Sequence, residues 1–183
     1  MRLWEPRFLL AASSETRGKM VAWRPSPRGK IAAYMGCKDN YKLAVRTGSI
    51  NAGHTLVHDG KEIKLRIVPC AFVNQNSRLL VASGALYSIE TLMKELDMTG
   101  ARGRIGLDNN SGVILPEHIS KERNDEFLMK KVGSTGSGVG AAMVDRVNRQ
   151  LRLARDFEEL KPFLTDVEKE VHDCLKEGGD VLV

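Results

Sequence analysis

Short apolar runs that alternate with amphipathic helical stretches constrain this chain more than any other feature. Arg78-Leu79-Leu80-Val81-Ala82 reads as a buried strand. Gly84 follows, and Leu86, Ile89, Leu92, Met93 and Leu96 then recur at spacings of three and four, the period of one helix face. Arg104-Ile105-Gly106-Leu107 and Gly112-Val113-Ile114-Leu115 supply two more strands before Pro116. Further on, Thr165 starts a helix with Glu168 three residues later as a capping box. Val167, Val171, Cys174 and Leu175 form its apolar stripe, and Gly178-Gly179 stops it. Asp180-Val181-Leu182-Val183 comes next. A strand reached through a helix normally enters a parallel sheet, because parallel neighbours need a crossover. Such a strand normally continues into a functional loop, and none follows here, so the ending reads as cut.

The rest of the chain carries weaker patterns. Residues 1–30 lack sustained periodicity and mix Pro6, Pro25 and Pro27 with Ser13-Ser14, which reads as loop; residues 1–28 are expected to be atypical and poorly packed. Ile31 to Met35 suggests a short helix closed by Gly36, and Leu43-Ala44-Val45 a brief strand. Thr55–His58 and Glu62–Ile67 flank Asp59-Gly60, a strong hairpin signal, with Ile63, Leu65 and Ile67 facing inward. Residues 117–131 are polar and helix-compatible, and Ala141 to Leu153 is helical in pattern.

Composition narrows the function classes. The chain has 183 residues, 42% hydrophobic and 28% charged, as in a soluble globular protein. No apolar run approaches the ~18–20 residues of a membrane span, and Phe8–Ala12 is too short and too broken by charge for a signal sequence. A cytoplasmic location and no membrane partner are expected. Cys37, Cys70 and Cys174 are far apart and lack zinc-like spacing, so redox and zinc chemistry are not expected. Residues 1–50 hold ten Lys/Arg against three acids, leaving a net −2 for the rest of a chain whose total is +5. A basic end can serve nucleic acid, but interleaved aromatics and a binding motif are missing, so no nucleic-acid partner is expected.

Three constellations could carry chemistry. Gly133-Ser134-Thr135-Gly136-Ser137-Gly138-Val139-Gly140 runs into a helix. Its amides, its hydroxyls and the positive helix end would suit an anion, although a Gly/Ser linker reads the same way. Asn51-Ala52-Gly53-His54-Thr55 sets an amide, a glycine and an imidazole just before a strand, where a histidine can donate a proton or is incidental. His58, His118 and His172 read as incidental. Arg146, Arg149, Arg152 and Arg155 recur every three residues, a positive helix stripe that is either solvated or offered to phosphate.

Together these pieces resemble the adenylosuccinate synthetase family. Asn51 to Thr55 matches its signature loop letter for letter, and Asp59-Gly60-Lys61 with Lys64-Leu65 and Pro69 is similar to the hairpin that follows. Val132 to Gly140 resembles its GTTGxGIGP segment, with Ser134 for the first Thr, and Asp145-Arg146-Val147 with Arg149 continues the match. The similarity covers residues 29–183 and is nearest to the shorter archaeal or phage-related branch. It implies an α/β fold with a mainly parallel central sheet, flanking helices and a β-hairpin, related to P-loop proteins and here incomplete.

The resemblance also implies an activity, a ligase reaction of purine and AMP biosynthesis in which GTP phosphorylates the 6-oxygen of IMP and L-aspartate displaces the phosphate. It implies His54 as acid or charge stabiliser, the Gly53 carbonyl as a contact to Mg2+, and Asn51, Ser134 and Thr135 as IMP contacts. Arg149 would reach the IMP of a second subunit in a homodimer. The 51–55 and 133–140 loops should then converge on one cleft. The family's WGDEGKGK-like loop is the point of departure. Only Trp23, Gly29 and Lys30 survive of it, with Gly29 and Lys30 as the phosphate-loop remnant, and Pro25 stands where a catalytic carboxylate belongs. Proline cannot take a proton, and two prolines remove amides that a phosphate cradle needs. The apolar strand expected before that loop is not recognisable in residues 1–22. The sequence therefore points to a partial synthetase, truncated or impaired, that makes little product alone. The alternative is a non-catalytic remnant that binds IMP and dimerises.

Overall fold

The structure is a computed structural model that describes residues 20–21, 28–38 and 41–183. Most of residues 1–28, including Trp23 and Pro25, lies outside the described residues, and so does the expectation made for that segment. Within it, Met20–Val21 forms strand β1 and Arg28 opens helix α1, Arg28–Lys38. A strand before Trp23 had not been expected.

Six strands form one parallel sheet. Besides β1 they are β2 (Leu43–Arg46), β5 (Arg78–Val81), β7 (Ile105–Asp108), β9 (Leu164–Thr165) and β10 (Val181–Leu182), in the order β1-β10-β2-β5-β7-β9. Leu43 pairs with Arg78 and Arg46 with Val81, while Val181 pairs with Leu43 on the other side. Every residue of β2 and β7 is buried, which is why these segments read as continuous apolar runs. Alternation divides them between two cores. Ala44, Leu79, Val81 and Leu107 join the larger cluster, and Leu43, Val45 and Leu80 pack with Val167, Cys174 and Leu175 of α5, Val167–Lys176.

The hairpin is β3 (His54–His58) with β4 (Lys61–Leu65), joined by Asp59 and Gly60 at φ 49° and 72°, the doubly left-handed turn that Asp-Gly favours. Helix α2, Ile89–Thr99, is capped by the Ser88 hydroxyl accepting from the Thr91 amide. Its Glu95 is buried, and its carboxylate accepts the amides of Arg66 at 2.6 Å, Ile67 at 3.0 Å and Val68 at 2.9 Å. The chain leaving the hairpin is thereby bolted to α2.

Several element boundaries differ from the sequence reading. Helix α1 continues through Gly36, which is buried against the turn Cys70–Val73 and does not end the helix. Leu86 belongs to strand β6 (Leu86–Tyr87), which pairs in parallel with β8 (Gly112–Val113). Residues 117–131 split into α3, Pro116–Arg123, and a wider π-type turn, Phe127–Val132. Helix α4 spans only Val139–Val147. Arg149 turns back at φ 59° and Leu153 bridges to Gly112, so that Leu151 and Ala154 cover the core. The arginines consequently do not share one helix face: Arg146 alone lies on α4, and Arg155 sits in the separate 3-10 turn Ala154–Asp156. Thr165 ends β9, and Asp166 caps α5 by accepting from the Lys169 amide at 2.9 Å. No helix among the described residues is long and apolar enough to cross a membrane.

Candidate nucleotide site at the carboxyl edge of the sheet

In an open parallel sheet, ligands bind beyond the carboxyl ends of the strands. Two clefts lie there. One, of about 460 Å³, is lined by Ile31 and Ala32 of α1, Arg46 to Gly48 after β2, Ala52, His54, Cys70 and Leu182. The other, of about 650 Å³, reaches Ser83, Asp108 to Asn110, Asp166, Glu168 and His172. Val45, Thr47 and Val183 line both.

His54 stands at the first cleft, half-buried at the start of β3. Gly29 is buried beneath it, and a methyl group there would come within 2.8 Å of the His54 Cβ. The phosphate-loop remnant and the signature loop are thus in contact, with Lys30 exposed beside them. Arg46 Nη1 lies 2.9 Å from Nδ1 and 2.7 Å from Nε2 of His54. One N–H serves one of these nitrogens. The guanidinium is always charged and only donates, so the imidazole acts as its acceptor. Arg46 Nη2 donates to the carbonyls of Ala52 at 2.6 Å and Arg66 at 2.8 Å. One buried arginine therefore braces the signature loop against the hairpin. Cys70 Sγ is 3.5 Å from His54 Nδ1, but burial pushes that thiol up to about 12, so it is not a nucleophile.

Asn51 and Gly53 are exposed. The amide of Ile50 donates to the Leu86 carbonyl, and the Ser49 hydroxyl accepts from the Leu86 amide, which fastens this loop to β6. The glycine loop opens α4, which packs on β6 and β8. Both loops are thus mounted on the same strand pair, but no hydrogen bond joins them among the described residues, and neither cleft is lined by residues 133–140.

Thr135 is exposed and shares a 2.8 Å hydrogen bond with Ser137, while Ser134 is half-buried. The amides at the start of α4 are not open to a phosphate. Gly138, Gly140 and Ala141 all donate to the Glu122 carboxylate. Arg149 is exposed just past α4, Arg155 donates to Asn110 Oδ1 at 2.6 Å, and Arg152 stacks on Phe157 at 4.1 Å. Arg146 donates to the carbonyls of Ser83 and Asn110, holding the loops after β5 and β7. His118, read as incidental, is buried and bonded to Leu115 and Asp145.

The sequence reading passed over Arg46, Glu122 and the His118–Asp145 pair. For Arg46 the available signal was a basic residue closing an apolar strand directly before the signature loop. Glu122 carried none, since a glutamate in a polar helix reads as solvated.

The sequence-family profile of adenylosuccinate synthetase matches residues 22–158. Adenylosuccinate synthetases of Methanococcus aeolicus and Thermococcus sibiricus are each 41% identical over 165 residues, covering 88% of this chain and 49% of theirs. That of Archaeoglobus fulgidus is 38% identical over 162 residues, covering 88% and 48%. Among solved structures, a fully ligated adenylosuccinate synthetase from Plasmodium falciparum superposes with a TM-score of 0.74 at 19% identity. It covers 89% of this chain and 49% of that one. Cyanophage S-2L succinoaminodeoxyadenylate synthetase, bound to dGMP and dATP, gives 0.71 at 24% identity, with the same coverage of both chains. The chain spans about half the length of the curated relatives it matches. It belongs to the adenylosuccinate synthetase family.

Proposed function

We propose that this chain is an IMP-binding synthetase unit built for the GTP-dependent ligation of L-aspartate to IMP, with turnover impaired by its own sequence. The observation that carries the reading is the packing of Gly29 against His54, with Arg46 holding the imidazole at the edge of the sheet. In this reading His54 faces the 6-oxygen of IMP. One ring nitrogen is engaged by Arg46, so the other can present an N–H to a transferring phosphoryl oxygen. The Arg46 guanidinium adds a fixed positive charge where negative charge develops. Asn51 and Thr135 bind the nucleotide, with Ser134 nearby, and Lys30 lies on the phosphate side.

Magnesium fits as an ion held mainly by nucleotide phosphates and water. No group of three or more His, Cys, Asp or Glu side chains that could hold a metal occurs among the described residues, and the carbonyl of Gly53, an exposed residue, would be a single protein ligand. When bound, the ion would neutralise phosphate charge. Pro25 explains the impairment, because the position that should hold the catalytic base carries a residue unable to accept a proton.

The pairing of subunits belongs to the same proposal. Met143 (42% exposed), Val144 (51%) and Val147 (77%) give α4 an outward apolar face directly before Arg149. A homodimer would cover that face and carry Arg149 toward the second subunit's IMP phosphate. A cytoplasmic setting goes with these substrates. Titration with IMP, together with an assay of GTP cleavage and aspartate incorporation, tests the proposal: IMP should bind and product formation should be negligible. Absence of IMP binding, or turnover at the rate of an intact synthetase, would overturn it.

A further inference from the structure

Glu122, 4% exposed, ends the buried side of α3 with its carboxylate facing the start of α4. Its Oε2 accepts from the Gly138 amide at 2.8 Å and the Ser134 hydroxyl at 3.4 Å. Its Oε1 accepts from the Gly140 amide and, at 3.3 Å, from that of Ala141. Free amides of this kind at a helix start are what an anion binds. Here an anion from the chain itself is already in place. A second tie lies alongside. The Leu115 amide donates to His118 Nδ1 at 2.9 Å, so the proton of the neutral ring sits on Nε2, which donates to Asp145 Oδ2 at 3.0 Å. Arg123 Nε donates to the Gly136 carbonyl at 3.1 Å. Helix α3 thus fixes the loop and both ends of α4, leaving Thr135 exposed between them.

We infer that Glu122 is a positioning residue for nucleotide binding: it fills the anion site of the glycine loop, denies it to the IMP phosphate, and sets the loop so that Thr135 meets the ligand. The inference deepens the IMP reading and rests on it. A carboxylate accepts at both oxygens. Glutamine of the same size would turn an N–H2 group toward either Gly138 or Gly140, donor against donor, and break half the clamp.

The test compares wild type, Glu122→Gln and Glu122→Ala at a temperature where circular dichroism shows each to be folded. IMP and inosine are titrated calorimetrically, and the amide signals of Gly138, Gly140 and Ala141 are followed by NMR as formate is added. We expect E122Q to bind IMP roughly tenfold more weakly, as for one buried polar group left without its partner, with inosine little changed. We expect formate to shift the three amides of E122A, but not of wild type, and to restore part of its IMP affinity. A folded E122Q that binds IMP like wild type, an equal loss for inosine, or an E122A loop indifferent to formate would overturn the inference. A wild type that binds no IMP overturns the reading above it, and the formate-dependent amide shifts then decide separately whether Glu122 fills the anion site.

Discussion

Arg46 is placed to do two jobs with one side chain, holding His54 and closing the carbonyls of Ala52 and Arg66. It is 8% exposed, and its removal leaves part-buried acceptors, the His54 ring and the carbonyls of Ala52 and Arg66, without this donor. Arg46→Met should cost about 2–4 kcal/mol of stability, read from urea unfolding; a loss under about 0.5 kcal/mol would contradict the bracing role. The cysteines make a second check at this scale. Cys70 is pushed up to about 12, Cys174 is raised by burial, and Cys37 is exposed. A chromogenic disulfide reagent at pH 8 should therefore react quickly with one thiol in the native protein and with three after denaturation. Two or three fast native thiols would refute that assignment. At this scale a motif in the sequence singled out His54, which the structure sets at the first cleft against Arg46. The sequence was unreadable where a function depends on a distant partner: Glu122 and His118 look like surface polar residues until α4 is laid against α3.

At the scale of elements, Asp59-Gly60 announced the hairpin because few dipeptides accept two left-handed residues in succession. The start of α5 was misplaced by one residue, since Thr165 and Asp166 are both competent caps. Pairing of Thr165 with Asp108 in the sheet decides between them. The freed Thr165 hydroxyl donates to Glu170 Oε1 at 2.5 Å. Arg78 holds both oxygens of that carboxylate from Nε and Nη2, each at 3.0 Å. Mainly through the Arg78 hydrogen bonds, Glu170 is held below its ordinary 4.5. Its contribution is thus fully present above pH 4.5 and is lost as pH falls through the lowered value. Glu170→Gln should destabilise by about 1 kcal/mol at pH 7, a modest figure because the pair is partly exposed, and the gap to wild type should narrow as pH falls from 4.5 through the lowered value. A gap independent of pH would rule the ion pair out as its cause. Gly138 supplies the other test. It sits at φ 81°, and a methyl group would lie 2.9 Å from the Ile119 amide nitrogen. Gly138→Ala should lower stability by about 1–3 kcal/mol in thermal unfolding.

For the whole molecule, the α/β class followed from helices alternating with apolar strands, but the strand order did not. β10 pairs with β2 across more than a hundred residues, a contact no local pattern encodes. The short β6–β8 pair escaped for the same reason, although it carries both candidate loops. Family resemblance supplied the site residues, and geometry supplied what restrains them: Arg46 behind His54, Gly29 beneath it, and Glu122 inside the glycine loop. In the proposed reading this assembly binds IMP through Thr135 but does not turn it over. Calorimetric titration of the full chain with IMP, wild type against Thr135→Ala, tests it most directly. We expect saturable binding that the substitution weakens by about 0.5–1.5 kcal/mol, the worth of one neutral hydrogen bond. We also expect no adenylosuccinate when GTP, Mg2+ and aspartate are added to the same samples. Undetectable IMP binding, or equal affinity in the two proteins, would contradict the account.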